Sequence, residues 1–286
     1  MDYSYKQISD ESMIAISLMI AFGIIIPLSL AIIWSKTKQQ KLIVTVVGTL
    51  SFIISALILE TIPRYLLFEI DSPVCKFINN NIWVYGFTGA LIASVFEEAS
   101  RYVSFKYVLK KTNSIQSSIS YGLGHGGFEM VYILFIGGLQ NLVYATSINS
   151  GQFQNLLNNP ELNSEQINQL LQLPSAIASI TLGTFLLALT ERISALLLQI
   201  SCSIIVFKSV KEKKVSYYVI AMLFHFSLDF LITFYNKGLI ANIVVFEGII
   251  LFYQLYYFCL RLISSTNVVW MQILHTVLAL KGGGYG

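Results

Sequence analysis

The chain has 286 residues, 55% of them hydrophobic and only 12% charged, with a mean hydropathy of +0.69. An ordinary soluble domain carries about twice that charged share, so a soluble fold is excluded. The net charge of +3 is spread over loops, which argues against nucleic acid as a partner.

Apolar residues come in blocks of about twenty, the length a helix needs to cross ~30 Å of hydrocarbon. We therefore expect an all-α, polytopic transmembrane helix bundle, a single integral membrane domain over residues 1–286. Asp2, Asp10 and Glu11 stand where a signal peptide has basic residues, and the first block exceeds a signal core, so it is kept as a helix. In chain order the spans fall at roughly 13–34, 42–62, 82–109, 117–142, 175–206, 216–235 and 239–260. Pro63 and Pro73 bracket the second loop. The external polar loop, about 149–174, holds Pro160 and Pro174 and a short amphipathic helix at Ser164–Leu173, capped by Ser164. Val268–Leu280 is too short to span and reads as a C-terminal interfacial segment. Trp34, Trp83 and Tyr217 fit an aromatic belt, and Glu60 and Glu247 read as interfacial residues near span ends. His275 reads as structural.

Cys75, Cys202 and Cys259 are far apart and suggest neither a disulfide framework nor a zinc knuckle. Lysine and arginine set the orientation. Lys36, Lys38, Lys41, Lys106, Lys110, Lys111, Lys208, Lys211, Lys213, Lys214, Arg261 and Lys281 fall on one side; only Lys6, Arg64, Lys76 and Lys237 fall on the other. The expected place is the cell membrane, multi-pass, with the N-terminus outside and the C-terminus cytoplasmic.

Several ionisable residues lie inside the expected spans, where each costs several kcal/mol unless paired or hydrated, and so marks a site. The third span carries Glu97, Glu98 and Arg101, the fourth His125 and Glu129, the fifth Glu191 and Arg192, the sixth His225 and Asp229. Glu97 and Arg101, His125 and Glu129, and His225 and Asp229 are each four residues apart, so each pair shares a helix face. Counted from the cytoplasmic helix ends, the acidic and histidine groups fall roughly 12–23 Å deep, in one layer. We expect them to meet in one cavity. Arg101 and Arg192 read as charge-balancing partners of the carboxylates. Gly122, Gly124, Gly126 and Gly127 read as packing glycines whose closeness opens His125 to the cavity.

In order, Glu97-Glu98 with Arg101, then Gly122-Leu123-Gly124-His125 with Glu129, then Glu191-Arg192, then His225 with Asp229 resemble the YhfC-type intramembrane metalloproteases. These are related to the CAAX prenyl proteases and the bacteriocin-processing glutamic intramembrane proteases. The resemblance covers about residues 82–235, the expected site-bearing core. It implies an intramembrane peptidase, glutamic-type or metal-dependent, acting on a peptide or membrane-protein substrate among membrane lipids. It implies Glu97, Glu98, His125, Glu129, Glu191, His225 and Asp229 as catalytic residues. If a divalent metal such as zinc is the cofactor, its candidate ligands are His125, Glu129, Glu191, His225 and Asp229. The family pattern leads one to expect a histidine eight residues after Glu191, where this chain has Gln199.

Two carboxylates beside an arginine can be driven to different proton affinities, one serving as base and the other as proton holder. In that reading Glu97 with His125 activates water, and His225 with Asp229 stabilises the oxyanion. The rival classes are a proton- or divalent-metal-coupled transporter, which builds similar rings at mid-membrane, and a catalytically silent binding or immunity protein. Against transport, the chain shows no inverted repeat.

Overall fold

A computed structural model describes residues 5–111 and 114–236, and within them it is helical, with no strand. Helix α1 spans Asp10–Lys38. It starts where the Ser9 side chain accepts from the Ser12 amide, with Asp10 and Glu11 in the positive first turn and Lys36 and Lys38 in the negative last one. It stops at Gln39, whose φ of 51° is left-handed. Helix α2 runs over Leu42–Glu69 as one rod interrupted by π-helical turns at Ile53–Leu59 and Tyr65–Glu69. Pro63 thus lies inside a helix rather than opening a loop, in the four-residue α-helical stretch Thr61–Arg64 between the two wide turns. Pro73 does begin an element: it is at the first turn of α3, Pro73–Asn80, capped by Ser72.

Helix α4 spans Ile82–Val103 and continues as a π turn over Ser104–Val108. Helix α5, Ile115–Asn149, carries a third such interruption at Val131–Ile136. The loop expected after it is largely ordered into α6, Phe153–Leu157, and α7, Ser164–Ala178. Two features of this loop differ from expectation. The cap is Asn163, whose side chain and that of Gln166 each accept from the other's backbone amide, and α7 runs on through Pro174 to Ala178. The fifth expected span accordingly begins later, as α8, Leu182–Glu212, after its own cap at Thr181. Helix α9, Val215–Asn236, ends the described part.

Five helices among the described residues are long and apolar enough to cross a membrane: α1, α2, α5, α8 and α9. Helix α4 has 22 residues, a comparable length, but carries Glu97, Glu98 and Arg101. The expected span 239–260, Glu247 and the Val268–Leu280 segment lie outside the described residues.

Helix α5 packs against α2 on one side and α8 on the other; α9 packs on α4 and α8. Glycines set these approaches. A Cβ on Gly124 would collide with the Thr45 carbonyl of α2, and one on Gly126 would stand 2.7 Å from Gln199 Cβ of α8. The outward faces are apolar, with Ile25, Leu28, Ile43, Ile58, Val143 and Leu186 all exposed, as a lipid-facing surface requires. The α8 helix is the most enclosed of the five.

Candidate active site

Polar residues from five helices line a cavity of about 280 Å³ inside the bundle. Glu97 enters it from α4, Glu129 from α5, Glu191, Arg192 and Gln199 from α8, and His225 and Asp229 from α9. Helix α2 adds Glu60 and Arg64. A second cavity of about 420 Å³ shares Arg64, Asp229 and Ile232 with the first and continues past Tyr85 and Gly89.

Glu97 is the most heavily held carboxylate. Its Oε2 accepts from His125 Nε2 at 2.8 Å, from Gln199 Nε2 at 3.2 Å and from Arg101 Nη2 at 3.4 Å. None of these contacts uses Oε1. Neighbouring residues on a helix point about 100° apart, and Glu98 accordingly turns to a different partner. Its Oε1 accepts from His225 Nδ1 at 2.8 Å and faces Arg101 Nε at 3.2 Å. Glu98 is fully buried and does not line the cavity. The expected pair is therefore divided: of the two, only Glu97 faces the cavity.

His125 also departs from expectation. It is fully buried behind Glu97, boxed by the edge-on ring of Phe52 and the stacked ring of Tyr121, and is not part of the cavity wall. The close glycine packing encloses this histidine instead of opening it. Its Nδ1 and the Oε2 of Glu98 are buried without a hydrogen-bond partner among the described residues.

Arg101 is completely buried and tied to four groups besides Glu98. It donates to the Gln199 carbonyl at 2.8 Å, to Ser203 Oγ at 2.9 Å, to Glu97 and to the Gln199 side-chain oxygen. Arg192 clamps two carboxylates, with Nη1 at 2.8 Å from Glu129 Oε1 and Nη2 at 2.6 Å from Glu191 Oε1. Both arginines thus lie in contact with carboxylates. His225 Nε2 lies 3.5 Å from Asp229 Oδ2, so this pair does share a face and a contact. No hydrogen bond joins His125 to Glu129; Gln199 links Glu129 to the Glu97 that His125 holds.

Two residues of the cavity escaped the sequence reading. Glu60 is 2% exposed rather than interfacial, and it pairs with Arg64 at 3.1 Å. The π turn at Ile53–Leu59 lies just before it, and such a turn shifts the helical register that a straight helix would keep. Their four-residue spacing, the same as that of Glu97 and Arg101, was the available signal.

The residues present do not fit a metal ion. Among the described residues no three His, Cys, Asp or Glu side chains converge as ligands. Of the candidate ligands, His125 is turned to Glu97 behind the cavity wall, and Glu129 and Glu191 are paired with Arg192, which leaves only His225 Nε2 and its neighbour Asp229.

An all-helical bundle with lipid-facing apolar surfaces and buried ion pairs in its interior defines an integral membrane protein. The chain belongs to the YhfC intramembrane metalloprotease family, whose model matches residues 18–250. It is 28% identical over 265 residues to a Bacillus subtilis (strain 168) protein described as uncharacterized membrane protein YhfC, covering 92% of this chain and 96% of that one. No solved structure matches.

Proposed function

We propose that this protein is an intramembrane peptidase that hydrolyses peptide bonds of membrane-associated substrates. One observation carries the reading: Glu97 Oε2 is gripped by His125, Gln199 and Arg101 at the wall of an internal cavity, with Oε1 outside that grip. A carboxylate so oriented is a positioned base for a cavity water. The family description points the same way, since its printed words name an intramembrane metalloprotease.

Glu97 takes a proton from the water, whose oxygen attacks the peptide carbonyl carbon. His225, protonated on both nitrogens between the Glu98 and Asp229 carboxylates, keeps Nδ1 on Glu98 and donates from Nε2 to the oxyanion. The C–N bond breaks, the proton held by Glu97 passes to the leaving amine, and the products are a carboxylic acid and an amine. His125 is a positioning residue, because it touches Glu97 and not the cavity. Arg101 and Arg192 hold Glu98, Glu129 and Glu191 in place. The bundle acts as one domain, with the N-terminus outside and the C-terminus in the cytoplasm.

The test is reconstitution of the full chain in liposomes with a library of membrane-spanning peptides, and mass spectrometry of the products. Cleavage lost in Glu97→Gln is expected. Equal cleavage by native and Glu97→Gln protein overturns the reading.

A further inference from the structure

Gln199 holds the centre of the site. Its Nε2 donates to Glu129 Oε2 at 2.7 Å and to Glu97 Oε2 at 3.2 Å, and its Oε1 accepts from Arg101. The orientation of this amide is dictated by chemistry. A guanidinium only donates and an ionised carboxylate only accepts, so the oxygen must face Arg101 and the nitrogen must face the two glutamates. One neutral NH2 thus bridges carboxylates from two helices at the point where a cation would draw both together.

We infer that the Gln199 amide takes the place of a metal ion in this chain, so that the native centre is closed by hydrogen bonds and holds no divalent cation. An amide NH2 has no lone pair to offer a metal. Its oxygen, which has, is committed to Arg101, a fixed positive charge that also repels a cation. Gly126 lets α8 approach closely here, since a Cβ there would fall 2.7 Å from Gln199 Cβ, and the amide itself is held by its bonds to Arg101, Glu97 and Glu129. An imidazole or carboxylate at this position would complete, with Glu97 and Glu129, a nitrogen-and-oxygen ligand set suited to zinc. Only this one side chain then separates a hydrogen-bonded centre from a metal centre.

The experiment uses the full chain purified in detergent, stripped with EDTA and titrated with zinc alone, read by elemental analysis and by thermal unfolding. The native protein is expected to take up no stoichiometric zinc and to keep the same Tm with or without it. Gln199→His is expected to gain about one zinc per chain, with a Tm that rises with zinc because the ion binds only the folded state. Adding Glu97→Gln to that variant should remove the gain, which separates the site from zinc held elsewhere. Gln199→Glu, close to the native shape, supplies an oxygen ligand at the same point if the histidine variant does not accumulate. Should neither variant accumulate, the zinc content of the native chain decides. One equivalent in the native protein, lost in Glu97→Gln, overturns the inference, and so does failure of both folded variants to take up zinc. Zinc uptake is read without any substrate, so the outcome is independent of whether the protein cleaves peptides.

Discussion

Glu98 Oε1 lies 2.8 Å from His225 Nδ1, while its neighbour Glu97 reaches His125 on a different helix. Two adjacent carboxylates therefore have separate tasks: Glu98 ties α4 to α9, and Glu97 ties α4 to α5 and faces the cavity. Glu98→Ala leaves His225 with only the longer contact to Asp229 and Arg101 with only Glu97 as its anion, and breaking a buried pair from one side costs up to about 3–5 kcal/mol. Glu98→Gln keeps an acceptor oxygen and should cost less. Glu97→Gln should abolish cleavage while shifting Tm by less than Glu98→Ala does. Thermal unfolding in detergent ranks the three; an unchanged Tm in Glu98→Ala removes the structural assignment.

Gly126 gives a second expectation. A methyl group there meets Gln199 Cβ at 2.7 Å, Gln199 Cγ at 3.0 Å and Leu196 Cδ1 at 3.1 Å. Gly126→Ala must push α5 from α8 or displace the amide, and overpacking of this kind costs about 1–3 kcal/mol. Gly137→Ala, on the same helix with open space around it, is the control and should not destabilise. The pair is compared by Tm; equal values would show that the α5–α8 contact is looser than described.

Much of the site was legible because the cost of burying charge makes each intramembrane Glu, His or Arg conspicuous. Spacing then gave the correct contact for Glu97 with Arg101 and for His225 with Asp229. What spacing could not give was the direction of a single residue within a crowded helix. Glu98 and His125 were placed at the cavity, and both lie behind it. Gln199 carries no charge, so nothing in its own chemistry marked it as the hub; only the family pattern drew attention to the position. In the fold, apolar blocks marked the five candidate spans among the described residues, but Pro63 and Pro174 were read as breaks when both sit inside helices. A proline removes one donor, and at Pro63 the flanking π turns already depart from regular i→i+4 bonding.

Orientation is testable from the loops alone. Lys208, Lys211, Lys213 and Lys214 cluster at the α8–α9 turn, where Lys213 adopts a left-handed φ of 55°. The opposite end of α8 adjoins α7, whose only charged residue is Glu165. Positive charge is retained in the cytoplasm. A single cysteine placed at Lys213 should resist a membrane-impermeant thiol reagent in intact cells, and one at Gln172 should react. The reverse labelling inverts the topology.

Glu60 and Arg64 supply the last test, because both line the first cavity, Arg64 also lines the second, and Glu60 was expected at the interface. Glu60 is 2% exposed and its Oε1 has no partner among the described residues, so Arg64 Nε and Nη2 are the main compensation for its charge. The Arg64 side chain is 43% exposed, and the attraction is weakened by solvent on that side. The asymmetry decides the outcome. Arg64→Ala strands a buried carboxylate and should lower Tm, whereas Glu60→Gln leaves an arginine that can still reach water and should lower it less. The double variant should recover part of the loss, with a coupling of about 0.5–3 kcal/mol in a double-mutant cycle. Purely additive effects would mean that this pair within α2 contributes nothing measurable, and that Glu60 is stabilised by something other than Arg64.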